Sequence, residues 1–116
     1  MTNSYNVATV IMSAEPEDKS MDDEIFDWDE ANILHLAEHD VAPEEAEEVL
    51  LGDPVEMGYD KSDLGEDRWS YLGETLQGRI LQVVITPRGE RSRVVTAFEP
   101  IKRFKQLYWK SKAELL

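Results

Sequence analysis

The chain has 116 residues, a size that fits one domain with a core of its own, and a formal net charge of −13. It contains no cysteine, which excludes a disulfide framework, a thiolate nucleophile and a sulfur-ligated metal, and suits a reducing compartment. The charge is sorted by position: residues 1–67 hold 21 of the 25 acidic side chains and two basic ones, while residues 68–116 hold four acidic and ten basic.

Met1–Asn6 lack the basic start of a secretory signal, and the apolar stretch Val7–Met12 is too short for a signal core or a membrane span, so a cytoplasmic protein is expected. Val7–Met12 is β-prone, an arm or an edge strand, and Ser13–Glu24 combines Pro16 with acids and no apolar period. Residues 1–24 therefore stand apart as an acidic arm or linker, and residues 25–116 form the expected folded domain. Ile25–Glu30 is a short aromatic stretch, after which Ile33, Leu34, Leu36 and Ala37 recur at helical spacing with Asp27 or Asp29 as the cap. His35 and His39, four apart on one face of that helix, have the spacing of two metal ligands, but no motif marks a third, and neither metal nor cofactor is expected. His39 reads as a helix-end histidine set against the C-terminal dipole.

A second helix opens at Pro43, with Glu44 and Glu45 in its first turn and Val41 placed to pack on Ala46, and Gly52-Asp53-Pro54 ends it. Val55–Asp67 reads as a loop with room for one strand beginning near Met57. Three strands follow: Arg68–Leu72, the nearly all-apolar Ile80–Thr86 as the central one, and Arg91–Phe98, the last two joined as an antiparallel hairpin by Pro87-Arg88-Gly89-Glu90. Glu99-Pro100 opens a final helix whose Ile101, Phe104, Leu107 and Tyr108 should lie on the sheet while Lys102, Lys105 and Lys112 line another side. The fold class is α+β: a small antiparallel β-sheet carrying an N-terminal helix pair and a C-terminal helix.

Several blocks now come in a fixed order: Phe26-Asp27-Trp28-Asp29-Glu30, His39-Asp40-Val41-Ala42-Pro43-Glu44-Glu45-Ala46, Asp53-Pro54, Glu66-Asp67-Arg68, Gly78-Arg79-Ile80-Leu81-Gln82-Val83-Val84 and Arg93-Val94-Val95-Thr96-Ala97. Together they resemble the BrnT family of toxins from bacterial type II toxin–antitoxin pairs, over about residues 25–112. The resemblance implies a RelE-like fold and a metal-independent endoribonuclease, held inactive by a cognate DNA-binding antitoxin. Carried onto this chain, it points to Glu66, Arg68, Arg79 and Arg93 as catalytic positions and to Lys102 and Arg103 as basic contacts, with Lys105, Arg88 and Arg91 added as further RNA-binding cations. Cleaving RNA through its own 2′-hydroxyl needs a proton acceptor, a proton donor and cations for the five-coordinate phosphorus. Glu66 would be the base and Arg68, Arg79 and Arg93 the phosphate clamp, since a guanidinium binds two phosphate oxygens and keeps its charge.

Departures from the family pattern favour an alternative. Glu38 and Asp40 stand where many members have a lysine and a glycine, and Thr96-Ala97-Phe98 replaces a Ser-Ala-Arg stretch, so two cations are missing. A catalytically inactive relative acting as a protein-interaction module would use the acidic helices, or the basic sheet with the aromatics Trp69, Tyr71, Tyr108 and Trp109. Direct DNA binding by this chain is not expected, because the helix pair is acidic on its polar face. A homodimer is left open. Segregated charge asks for a partner or a self-neutralising contact, and the acidic arm folding over the basic surface is one form of the latter. The nuclease reading requires guanidinium groups from separate strands to converge in one open pocket beside a carboxylate, not tied up by acids.

Overall fold

The sheet forms around the most apolar segment of the chain. In this computed structural model, which describes residues 25–114, β1 (Val55–Lys61), β2 (Asp67–Glu74), β3 (Ile80–Arg88) and β4 (Arg91–Phe98) make a four-stranded antiparallel sheet in that order. The acidic arm and the strand expected at Val7–Met12 lie outside the described residues. Where a loop with room for one strand beginning near Met57 was expected, Val55–Lys61 forms a strand paired along β2, with a bulge between Glu56 and Gly58. Its polar, glycine-containing sequence hid it, because an edge strand needs only one apolar face and β1 has Val55 and Met57 for that purpose. The hairpin between β3 and β4 is tighter than expected: Pro87 and Arg88 remain in β3, and Gly89 and Glu90 alone turn the chain, with Gly89 at φ 64° as a two-residue loop requires.

Strand alternation divides the residues between two faces. Leu81 and Val83 are fully buried on one, with Val94 and Ala97 beside them, and α1 (Glu30–Ala37) and α2 (Pro43–Leu51) cover that face with Leu36, Ala46 and Val49. Gly73 lets α2 approach: a Cβ there would sit 2.7 Å from Val49 Cγ1. Leu72 pairs with Gln82, out of step with Leu81 and Val83, and so faces the other way. On that second face α3 (Lys102–Glu114) packs Tyr108 against Leu72 and Ile80, with Phe104, Val55 and Met57 around them.

The stripe by which α3 docks differs from the expected one. Phe104, Tyr108 and Lys112 point to the sheet at i, i+4 and i+8, and Lys112 binds the Asp53 carboxylate at 3.0 Å beneath the Tyr108 ring. Ile101 precedes the helix and stays 58% exposed, and Leu107, a third of a turn away from Tyr108, stays 46% exposed. Of the four aromatics considered for a partner, Tyr108 is core, Trp69 and Tyr71 are half-buried, and Trp109 is exposed.

The helix ends follow local chemistry. Asp29, one of the two expected caps, accepts the Asn32 N–H, and the Asn32 side chain accepts the Asp29 N–H in return. Pro43 is the first residue of α2, and Glu45 Oε1 accepts the Ala42 N–H. After α1 the chain turns back through bonds from Val41 N–H to the Leu36 carbonyl and from Asp40 N–H to the Ala37 carbonyl, with Asp40 at φ 61°. Asp40 thus keeps the left-handed turn that a glycine would take without steric cost.

Two outcomes follow from this packing. Asp40→Gly should raise stability by up to about 1 kcal/mol in urea denaturation, relief of strain being partly offset by the larger unfolded-state entropy of glycine. Burial, and then donation from its hydroxyl to Glu74 Oε1 at 3.1 Å, push the Tyr108 pKa up to about 12. The folded value exceeds the ordinary one of about 10, so this stabilisation is complete below that pH and lost as the pH rises through the folded value. Absorbance titration at alkaline pH should show a late tyrosine step that is missing from Tyr108→Phe.

Candidate active cleft

Half of the second face carries no helix. Cross-strand pairs there place Thr86 opposite Arg93, Val84 opposite Ser70 and Thr96, and Gln82 opposite Phe98, and the same alternation sets Arg68 and Arg88 on this side. Thr86, polar yet fully buried, is satisfied by donating to the Asp67 carbonyl at 2.6 Å. α1 borders the surface from the β4 edge, where buried Asn32 donates to the carbonyls of Asp27 and Val94. A cleft of about 200 Å³ results, lined by Asn32, His35, Glu66, Arg68, Arg88 and Arg93.

Glu66 sits at the end of the β1–β2 turn, its N–H fixed by the Ser62 hydroxyl at 3.0 Å. One carboxylate oxygen takes Nε and Nη2 of Arg68 at 3.4 and 3.3 Å, and the other takes Nη1 of Arg88 at 2.5 Å. Arg88, and after it Arg68, hold the carboxyl below its ordinary range. Arg93, only 17% exposed, grips Asp29 through both terminal nitrogens at 3.1 and 3.0 Å and lies 3.6 Å from Asp27. Its bond to Asp29 raises the Arg93 pKa and is the largest cause lowering that of Asp29. Both carboxyls are shifted down, so their stabilising contribution is present above the ordinary carboxylate range and lost as the pH falls through the lowered values.

Three of the four residues expected to catalyse, Glu66, Arg68 and Arg93, therefore meet in one cleft, and Arg88 joins them. Arg79 does not. It precedes β3 on the helix-covered side, where Nη1 binds both Glu45 oxygens at 3.0 and 3.1 Å and Nε binds Glu99 at 3.0 Å. Burial works against its charge, but the bonds to Glu99 and Glu45 outweigh that and raise its pKa. It clasps α2 to the end of β4. Of the other expected RNA contacts, Arg91 lies 3.6 Å from Asp27, Lys105 is tied to Glu99 at 3.3 Å, and Arg103 lies over the Phe104 ring. Lys102, Arg103 and Lys105 belong to α3 and do not line the cleft.

His35 was weighed from sequence only as half of a metal pair. Its ring meets His39 edge-on at 5.2 Å, and among the described residues no three His, Cys, Asp or Glu side chains converge. Instead His35 Nε2 lies 3.1 Å from Thr96 Oγ1, across the cleft rim. The signal available in sequence was its spacing three residues after Asn32, which puts the two on one side of α1.

A helix-backed antiparallel sheet that gathers arginines and a carboxylate on its open face defines a small α+β protein with a polar cleft suited to an anionic group. The chain belongs to the BrnT family: the model described as "Ribonuclease toxin, BrnT, of type II toxin-antitoxin system" matches residues 28–100, which include the helix pair and the whole sheet. Membership implies an RNA substrate and an antitoxin protein partner. Comparison with curated proteins gave no match. No helix among the described residues is long and apolar enough to cross a membrane.

If Arg79 is a clasp, Arg79→Ala should lower stability by roughly 1 kcal/mol in denaturant unfolding and leave RNA affinity at low salt unchanged. A large affinity loss without destabilisation would return Arg79 to the clamp.

Proposed function

We propose that this chain is a metal-independent endoribonuclease toxin that works in the cytoplasm and is neutralised by a cognate antitoxin, itself a DNA-binding protein. The observation that carries this reading is the convergence of Arg68, Arg88 and Arg93 with Glu66 on the open sheet face. In this reading the three guanidinium groups hold the scissile phosphate and stabilise the charge that grows on it, and the attacking group is the neighbouring 2′-hydroxyl of the RNA. Arg79 moves from the clamp to a supporting role, and Lys102, Arg103 and Lys105, outside the cleft, attract the strand at long range.

The cleft is not an unopposed cationic surface. Arg68, Arg88 and Arg93 face Glu66, Asp29 and Asp27, so an arriving phosphate must use the donors these carboxylates leave or displace Asp29, which is 54% exposed. From sequence, the nuclease reading required guanidinium groups not tied up by acids, and this pairing departs from that requirement; it favours the second reading, a BrnT-fold protein without activity that serves as a protein-interaction module. The two separate on expression. The toxin reading expects growth arrest and RNA cleavage at low salt by the purified chain, with Arg68→Ala and Arg88→Ala each lowering the rate about 10²-fold or more. Intact RNA and harmless expression of a folded chain would leave the interaction module.

A further inference from the structure

We propose that His35, not Glu66, accepts the 2′-hydroxyl proton in this cleft, an assignment that rests on the ribonuclease reading above. The family resemblance pointed to Glu66, in the Glu66-Asp67-Arg68 block, as the base, but the geometry distributes the roles differently. Both Glu66 oxygens are occupied by Arg68 and Arg88, so a proton arriving there would break the ion pairs that hold the clamp together. A carboxylate stabilised in its charged form is also a weak base.

His35 is held differently, Nε2 by one hydrogen bond to a hydroxyl and not by an ion pair. It lines the same cleft from α1, its side chain is 46% exposed, and its two nitrogens have different neighbours: Nδ1 lies 3.6 Å from Glu38 Oε1 and Nε2 lies 3.1 Å from the Thr96 hydroxyl. With the proton on Nδ1, facing the Glu38 carboxylate, Nε2 accepts the Thr96 hydroxyl, and the RNA 2′-hydroxyl takes that hydroxyl's place when it binds. The charged groups facing His35 are Glu38 and His39 on α1, Arg93 on β4, Arg68 on β2, Arg88 on β3 and Glu66 on the turn before β2.

In the step assigned to this arrangement, the 2′-oxygen forms its bond to phosphorus as the bond from phosphorus to the 5′-oxygen breaks. The 2′ proton passes to His35 Nε2, the departing 5′-oxygen takes a proton from water, and the imidazolium then releases its own to solvent. The products are a 2′,3′-cyclic phosphate and a 5′-hydroxyl, with no oxidant, reductant or metal consumed.

The test uses the full chain and a labelled single-stranded RNA at low salt. His35→Asn, at an exposed position that the core does not need, should lower the cleavage rate about 10²- to 10⁴-fold with little change in KM. It should also remove one limb of the pH–rate profile, as loss of a general base does. Added imidazole should restore part of the rate to His35→Gly, and Glu66→Gln should leave that limb in place. Cleavage by the native chain that keeps its rate and pH profile in His35→Asn overturns the assignment of His35 alone. No cleavage by the native chain overturns both this assignment and the ribonuclease reading.

Discussion

The buried amide of Asn32 fixes the arrangement on which the cleft depends. Its side chain donates to the Asp27 and Val94 carbonyls and accepts the Asp29 N–H, so one residue joins the start of α1 to the outer edge of β4. At 4% exposure an unpartnered amide would cost about 1–3 kcal/mol, and full satisfaction turns that penalty into specificity of docking. Because α1 is held at the edge, with Leu36 directed to the core, the opposite side of the sheet stays accessible and Asp29 is delivered to Arg93. The helix cap and the cleft thus share a carboxylate.

The uneven distribution of charge along the chain is resolved within the fold. Carboxylates from the first half meet guanidinium and ammonium groups from the second: Asp29 with Arg93, Glu45 with Arg79, Glu66 with Arg68 and Arg88, Asp53 with Lys112. Such contacts span sequence separations as long as 64 residues, so they draw the acidic helices onto the basic sheet. Individually they are worth little in water. Their arrangement still matters, because Arg88 and Arg91 stand directly opposite across the hairpin and their repulsion is relieved by Glu66 on one side and Asp27 on the other.

Much of this was readable from the sequence. The apolar run at Ile80–Thr86, the turn chemistry at Gly89 and the proline at the start of α2 are local signals, and each specified its element. The antiparallel α+β class and the helix pair followed from them, and so did the gathering of Glu66, Arg68 and Arg93, through the ordered family blocks. Arg79 was misplaced because its surroundings depend on α2 and Glu99, which are distant in sequence, and because an arginine in a family motif does not announce which face it serves. β1 was hidden by its three charges and glycine, and the place of His35 beside the cleft by a contact that forms only when Thr96 comes within reach across the β4 edge. The position of α3 on the sheet turned on one step of helical phase, which periodicity over a single short helix defines poorly.

The two margins of the sheet are unequal, and this limits how molecules can associate through it. Along β4, Phe26 forms a parallel bridge to Ser92 and α1 continues the cover, whereas among the described residues β1 has a strand neighbour on one side only. Among the described residues, backbone recruitment of another strand therefore has a single address. Two copies joined there would face each other about a twofold axis and leave no second site for a third, so sheet extension would close as a pair and never propagate into a fibre.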